Sequence, residues 1–192
     1  MENNIVLLIV ITIIVCLIAC VLCVPLGIQL FKKVFSENKQ GDISASTKIR
    51  LINQLREAVE YLSDTKTGAI ITIENNDAID NLRTDGINID ANISASLLIA
   101  IFNKHSPLHD GAIVIRNGKI IYAATYFKIT RKSIDNKYGA RHRAAMGISE
   151  ISDATTIVVS EETGKVTIAK YAVFHPIDLE QFQERITFFL KD

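Results

Sequence analysis

Polar and apolar positions divide the chain into three stretches. Residues 5–31 carry no charged side chain, residues 32–46 are polar and hold Gly41, and beyond them apolar positions recur with the periods of packed secondary structure. Leu51, Leu55, Ala58 and Leu62, with Arg50, Gln54, Glu57 and Glu60 between them, predict an amphipathic helix capped by Ser46 or Thr47. Residues 68–74 are apolar and rich in isoleucine, a buried strand. Residues 75–90 are polar with Gly86 and predict a loop holding one helical turn. Ser94 is placed to cap a helix through Leu97, Leu98, Ile101 and Phe102 that stops before Pro107. Residues 112–116 and 119–127 read as strands joined by Asn117-Gly118, the strongest short hairpin signal. Residues 130–139 are charged loop and 143–149 a short helix. Strands at 155–160 and 165–169 flank a Glu-Glu-Thr-Gly turn. Asp178 then caps a last amphipathic helix through Phe182, Ile186, Phe189 and Leu190.

Strands alternating with helices, with two hairpins among them, predict an α/β domain around a mixed sheet. The domain is expected over 47–192, after a linker at 32–46.

The first stretch predicts something different. Its 27 positions exceed the roughly 20 apolar residues that span a bilayer core as a helix. A buried core helix of that length without a polar stripe would be unusual. A cleaved signal is disfavoured because Met1-Glu2-Asn3-Asn4 has no basic residue and the run outlasts an h-region of about 7–15 residues. The missing basic residue also argues against lipoprotein processing at Leu17-Ile18-Ala19-Cys20. A retained transmembrane helix over 5–31 is therefore expected. Lys32 and Lys33 follow it directly, which by the positive-inside rule leaves the larger part cytoplasmic. Cys16, Cys20 and Cys23 all lie within the span, so the soluble part has no disulfide framework. The 21 Lys+Arg balance 21 Asp+Glu, without the basic excess of a duplex-binding protein.

Candidate chemistry concentrates in two strings, Leu108-His109-Asp110-Gly111-Ala112 and Gly139-Ala140-Arg141-His142-Arg143-Ala144-Ala145. Asp110 is a carboxylate at an Asp-Gly turn, suited to hold a metal, to accept a proton, or simply to cap the turn. Gly111 and Ala112 are small enough for backbone amides to approach a phosphate. His109 either offers a ring nitrogen to a metal or packs beneath the loop. On an extended segment Arg141 and Arg143 would point the same way; if Arg141 already begins the helix, its N-terminal amides add to an anion site. His105 and His109 do not form a metalloprotease pair, since Pro107 breaks the helix that spacing requires.

Together with Gly68-Ala-Ile-Ile-Thr-Ile-Glu74 and Ser160-Glu-Glu-Thr-Gly164, in this order, the two strings closely resemble the signature of diadenylate cyclases, which condense two ATP molecules into cyclic di-AMP. The chain resembles the single-pass, membrane-anchored class of that family. The resemblance implies a central twisted sheet flanked by helices. It further implies Asp110, Arg141, His142 and Arg143 as catalytic residues, with the arginines on the polyphosphate and the leaving pyrophosphate. Gly111, Ala112, Tyr126, Phe127, Ser160 and Glu161 would line the nucleotide, with Tyr126 stacked on adenine and Ser160 on a phosphate. Asp110, His109 and Glu162 (or else Glu161) would hold Mg²⁺ or Mn²⁺. The reaction implies a homodimer, at least transient, because each ATP is both attacker and target. No nucleic acid is expected as a partner, and no regulatory partner is legible. The family usually has threonine where this chain has Ala140, and a missing hydroxyl at a phosphate costs about 1–2 kcal/mol. That departure is the one support for another reading, a catalytically silent ATP-binding sensor.

Overall fold

The computed structural model describes residues 44–190, with Ile11 and Ile14 in helical backbone before them. The expected membrane span and the linker up to residue 43 otherwise lie outside the described residues. Among the described residues no helix is long and apolar enough to cross a membrane. The chain divides into two compact units, Met1–Asp42 and Ile43–Asp192, and every element below belongs to the second.

Helix α1, Ala45–Asp64, buries Leu51, Ile52, Leu55, Ala58, Val59 and Leu62 along one stripe. Its cap is Ser44, two residues before the expected Ser46. The Ser44 hydroxyl accepts from the Thr47 amide at 3.3 Å, and the hydroxyls of Ser46 and Thr47 are drawn into the same cluster. Strand β1, Ala69–Ile73, is buried at every position.

The expected loop after β1 contains more structure than its polarity suggests. A 3-10 turn, Asp80–Leu82, is followed by β2, Arg83–Thr84, and β3, Ile87–Asn92, both of which pair with β5. Helix α2, Ala95–Phe102, is capped by Ser94 as expected, its hydroxyl accepting from Leu97 N at 3.2 Å. Strands β4, Ala112–Arg116, and β5, Lys119–Phe127, turn through Asn117 and Gly118 at φ of 51° and 74°, the left-handed pair that a tight hairpin needs.

Helix α3, Ala140–Ser149, starts three residues earlier than its apolar positions indicated. Strands β6, Thr155–Val159, β7, Val166–Lys170, and β8, Val173–Ile177, finish the sheet. A 3-10 turn, Leu179–Gln181, leads into α4, Phe182–Phe189. Asp178 precedes that turn but caps it with no side-chain hydrogen bond, its carbonyl instead accepting from Gln181 N.

The eight strands form one mixed sheet in the order β2-β5-β4-β1-β6-β7-β8, with β3 also on β5. β1 and β4 are parallel and every other pairing is antiparallel. Alternation along the strands sends Ile71, Ile73, Ile113, Ile115 and Ile157 to a core shared with α1, α2 and α4. Ile70, Val114 and Val158 point the other way, to a smaller core closed by Ala145 and Ile148 of α3. The result is three layers, with α3 on one face and the remaining helices on the other.

Candidate active site

Strand register gathers the motif residues at one end of the sheet. Ile71 lies opposite Ile113 in the parallel pair, Ala69 opposite Val159 in the next, and Ala112 opposite Thr125. The residues just beyond these positions are Gly68, Asp110-Gly111, Tyr126 and Ser160, so segments far apart in sequence share one edge. A groove of about 550 Å³ between α1 and α4, lined by Ile49, Ile52, Gln183 and Phe188 among others, shares none of these residues.

Asp110 is exposed, and its Oδ2 accepts from the Tyr126 hydroxyl at 3.1 Å. That hydrogen bond, above all, raises the Tyr126 phenol above its ordinary value of 10, because the carboxylate stabilises the protonated form. Tyr126 is 44% exposed and free to present a ring face, whereas its neighbour Phe127 is buried in the smaller core.

His109 Nδ1 lies 2.6 Å from the Ser106 carbonyl. A carbonyl can only accept, so Nδ1 carries a proton and, in the neutral imidazole, Nε2 keeps its lone pair. This is the arrangement of a metal-binding imidazole.

Gly111 has φ of 106°, and a Cβ there would lie 2.7 Å from the Thr125 carbonyl oxygen. The small residue is required by the crossing of β5 on the side where a Cβ would point. Ala112 is likewise buried in the core beneath the edge.

Because α3 begins at Ala140, Arg141 and Arg143 stand on a helix, about 200° apart around its axis. The extended-segment expectation, with both guanidinium groups on one side, gives way to the helix-start alternative. Gly139 is the N-cap and supplies no side-chain cap. The first-turn amides are therefore left for other acceptors. Arg141 Nη1 donates to Glu161 Oε2 at 2.8 Å. The His142 ring is packed between Tyr138 and Phe174, with centroids 5.0 and 5.8 Å away. Its burial lowers the imidazole below 6.5.

The turn between β6 and β7 is held by Ser160, whose hydroxyl accepts from Thr163 N at 3.3 Å and whose carbonyl accepts from Gly164 N at 2.9 Å. Ser63 of α1 donates to the Gly164 carbonyl at 2.6 Å and ties the turn to the helix layer. Glu161 and Glu162 are both exposed on it. The edge thus combines a carboxylate, an open imidazole nitrogen, an aromatic face, a guanidinium and uncapped amides, an inventory suited to a nucleoside polyphosphate.

Residues 56–173 match the family model described as DAC, DisA bacterial checkpoint controller nucleotide-binding. This chain belongs to the diadenylate cyclase family. It is 40% identical over 166 residues to a diadenylate cyclase of Mycoplasma genitalium, covering 85% of this chain and 81% of that protein. The crystal structure of a double mutant of DacA from Staphylococcus aureus superposes with a TM-score of 0.73 at 37% identity, covering 77% of this chain and all of the other. A hypothetical membrane-spanning protein from Bacillus cereus has a TM-score of 0.65 at 39% identity, covering 66% and 62%. The mixed α/β fold and the enzyme class expected from the motifs are those of this family.

Gly68 was not among the candidate site residues. The sequence signal for it was a glycine opening an otherwise bulky buried strand.

Proposed function

We propose that this enzyme joins two ATP molecules into cyclic di-AMP and two pyrophosphates. The 3′-hydroxyl of each ATP attacks the α-phosphorus of the other, forming a P–O bond as the bond to pyrophosphate breaks. The observation that carries this reading is the meeting of Asp110, Tyr126, Ser160 and Arg141 at one end of the sheet. Tyr126 offers its ring to adenine, Ser160 and the first-turn amides of α3 meet phosphate oxygens, and Arg141 holds the β- and γ-phosphates. Those two phosphates depart together as pyrophosphate, so Arg141 also serves the leaving group. Arg143, on another side of the same turn, meets that pyrophosphate as it leaves, while His142 packs the turn that carries both arginines. Gly111 and Ala112 shape the floor, and Glu161 steadies Arg141. Asp110 takes up the proton of the 3′-hydroxyl or holds a metal.

Mg²⁺ or Mn²⁺ fits the donors at this edge. Asp110 has a second carboxylate oxygen beyond the one facing Tyr126, and His109 has its lone pair on Nε2. Among the described residues no three His, Cys, Asp or Glu side chains form a group able to hold a metal, so the expected trio of Asp110, His109 and Glu162 is not assembled and the substrate's phosphates would complete the coordination. Such an ion, held by Asp110 and His109 together with the substrate's phosphates, would neutralise charge at phosphorus.

Because the two nucleotides react reciprocally, two copies of the domain face each other during turnover. Residues 5–31 anchor the chain in the membrane with the catalytic domain in the cytoplasm, supported by the uncharged run and by Lys32 and Lys33 after it.

The test is incubation of the 192-residue chain with ATP and either Mn²⁺ or Mg²⁺, followed by product identification. Cyclic di-AMP with two equivalents of pyrophosphate is expected. ATP binding without either product would favour the silent sensor.

A further inference from the structure

We infer that Gly68 is a positioning residue for the reaction: its missing side chain is the slot in which the Arg141 guanidinium lies. The inference rests on the ATP-condensing reading above and concerns how its cation is held.

A Cβ built on Gly68 would lie 2.7 Å from Arg141 Cζ, 2.7 Å from Nη1 and 3.1 Å from Nε. The three nearest atoms all belong to one guanidinium, whose flat face therefore rests on the Gly68 Cα. No backbone requirement competes with this explanation. Gly68 is not among the residues with positive φ, so an alanine fits its backbone. Elsewhere in the domain the close glycines meet main chain or a threonine side chain: Gly111 meets the Thr125 carbonyl, Gly147 the Lys128 carbonyl, Gly86 the Thr125 side chain and Gly118 the Thr47 methyl. Gly68 alone is crowded by the end of a flexible charged side chain.

The slot has a second wall. Glu161 Oε2 accepts from Nη1 at 2.8 Å and, among the described residues, is the guanidinium's only hydrogen-bond partner. A guanidinium carries five N–H donors. One face is covered by Gly68 and one donor is taken by Glu161, which leaves most donors for phosphate oxygens. The anchors come from three separate segments: the start of β1, the first turn of α3 and the β6–β7 turn. Their convergence fixes the rotamer of a long arginine side chain in advance, so no ordering is needed as charge develops on the leaving group. Glu161 accordingly acts through Arg141 and touches no phosphate itself.

The experiment compares the 192-residue chain with Gly68→Ala, Glu161→Gln, Arg141→Lys and the Gly68→Ala/Arg141→Lys double variant. Each is assayed for cyclic di-AMP synthesis and thermal unfolding. Gly68→Ala should unfold within a few degrees of the parent, since only the arginine tip must move. Its kcat should fall about tenfold with KM changed less than about twofold, because the displaced cation serves charge that develops on the leaving group. Glu161→Gln should lose roughly threefold in kcat. In the Arg141→Lys background, Gly68→Ala should cost nothing further, because the planar group that needs the slot is gone.

Three results would overturn the inference: Gly68→Ala with parental kcat, Gly68→Ala that fails to fold, or the same loss in both backgrounds. Failure of the parent chain itself to make cyclic di-AMP would instead overturn the reading of its function.

Discussion

The Tyr126 hydroxyl donates to Asp110 Oδ2 across 3.1 Å, linking the last turn of one strand to the loop that opens its neighbour. One tyrosine, 44% exposed as a residue, thus has two surfaces of use, a ring face and a hydroxyl that orients the central carboxylate. Tyr126→Phe separates them. The ring is kept, so KM for ATP should hold, while the lost hydrogen bond of about 1 kcal/mol should lower kcat roughly fivefold. Tyr126→Ala should raise KM as well. Steady-state kinetics of the two variants side by side would check this, and equal KM values would remove the stacking role.

Asp110→Asn should leave the fold intact, since the side chain is exposed, and should reduce cyclic di-AMP synthesis by on the order of 10²–10⁴-fold. The same substitution should lower the Tyr126 phenol toward its ordinary 10, because the carboxylate that raised it is gone. Ultraviolet titration of tyrosinate reads this without any turnover. A Tyr126 signal unchanged by the substitution would rule out the hydrogen bond in solution.

Acid should weaken the fold from pH 6.5 downward. His142 is buried against Tyr138 and Phe174, and burial holds its folded value below 6.5. As pH falls through 6.5 the unfolded chain binds the proton first. The stabilisation is therefore whole above 6.5 and lost progressively until the lower folded value is passed. His175 shifts in the same direction, from burial and from the nearby Arg185. Thermal unfolding followed from pH 8 to 5 should show the loss, and His142→Phe should flatten part of it.

Gly147→Ala should behave unlike Gly68→Ala. A Cβ at Gly147 would sit 1.9 Å from the Lys128 carbonyl oxygen, so α3 and the segment after β5 would have to part. We expect a loss of about 3 kcal/mol, or a midpoint lower by roughly 6–12 °C. A midpoint within two or three degrees of the parent would show that α3 can shift away from that segment without cost.

The elements with strong periodicity were legible. The stripe of α1, the Ser94 cap of α2 and the Asn117-Gly118 hairpin all needed only local chemistry. Strands β2, β3 and β8 were not legible, for different physical reasons. β2 is two residues long, β3 is polar because one side faces solvent and its register is bulged, and β8 carries Pro176 on an edge, where its missing N–H costs no ladder bond. The first turn of α3 was hidden because Ala140 and Arg141 precede the apolar positions, and Gly139 caps without a side chain.

The amino-acid sequence alone determined the family, through two charged strings in a fixed order, and the chemical inventory of the candidate site. Those rest on side-chain types and short-range spacing, which survive without coordinates. Tertiary structure decided the geometry. Strand register brought Gly68, Asp110, Tyr126 and Ser160 to one edge, and the helical start of α3 turned Arg141 and Arg143 apart. Packing also gives Gly111 a reason to be small that its type did not show, the Thr125 carbonyl of β5, and lays the Arg141 guanidinium against Gly68. Contacts between residues some seventy positions apart depend on the path of the whole sheet, and no local pattern encodes that path.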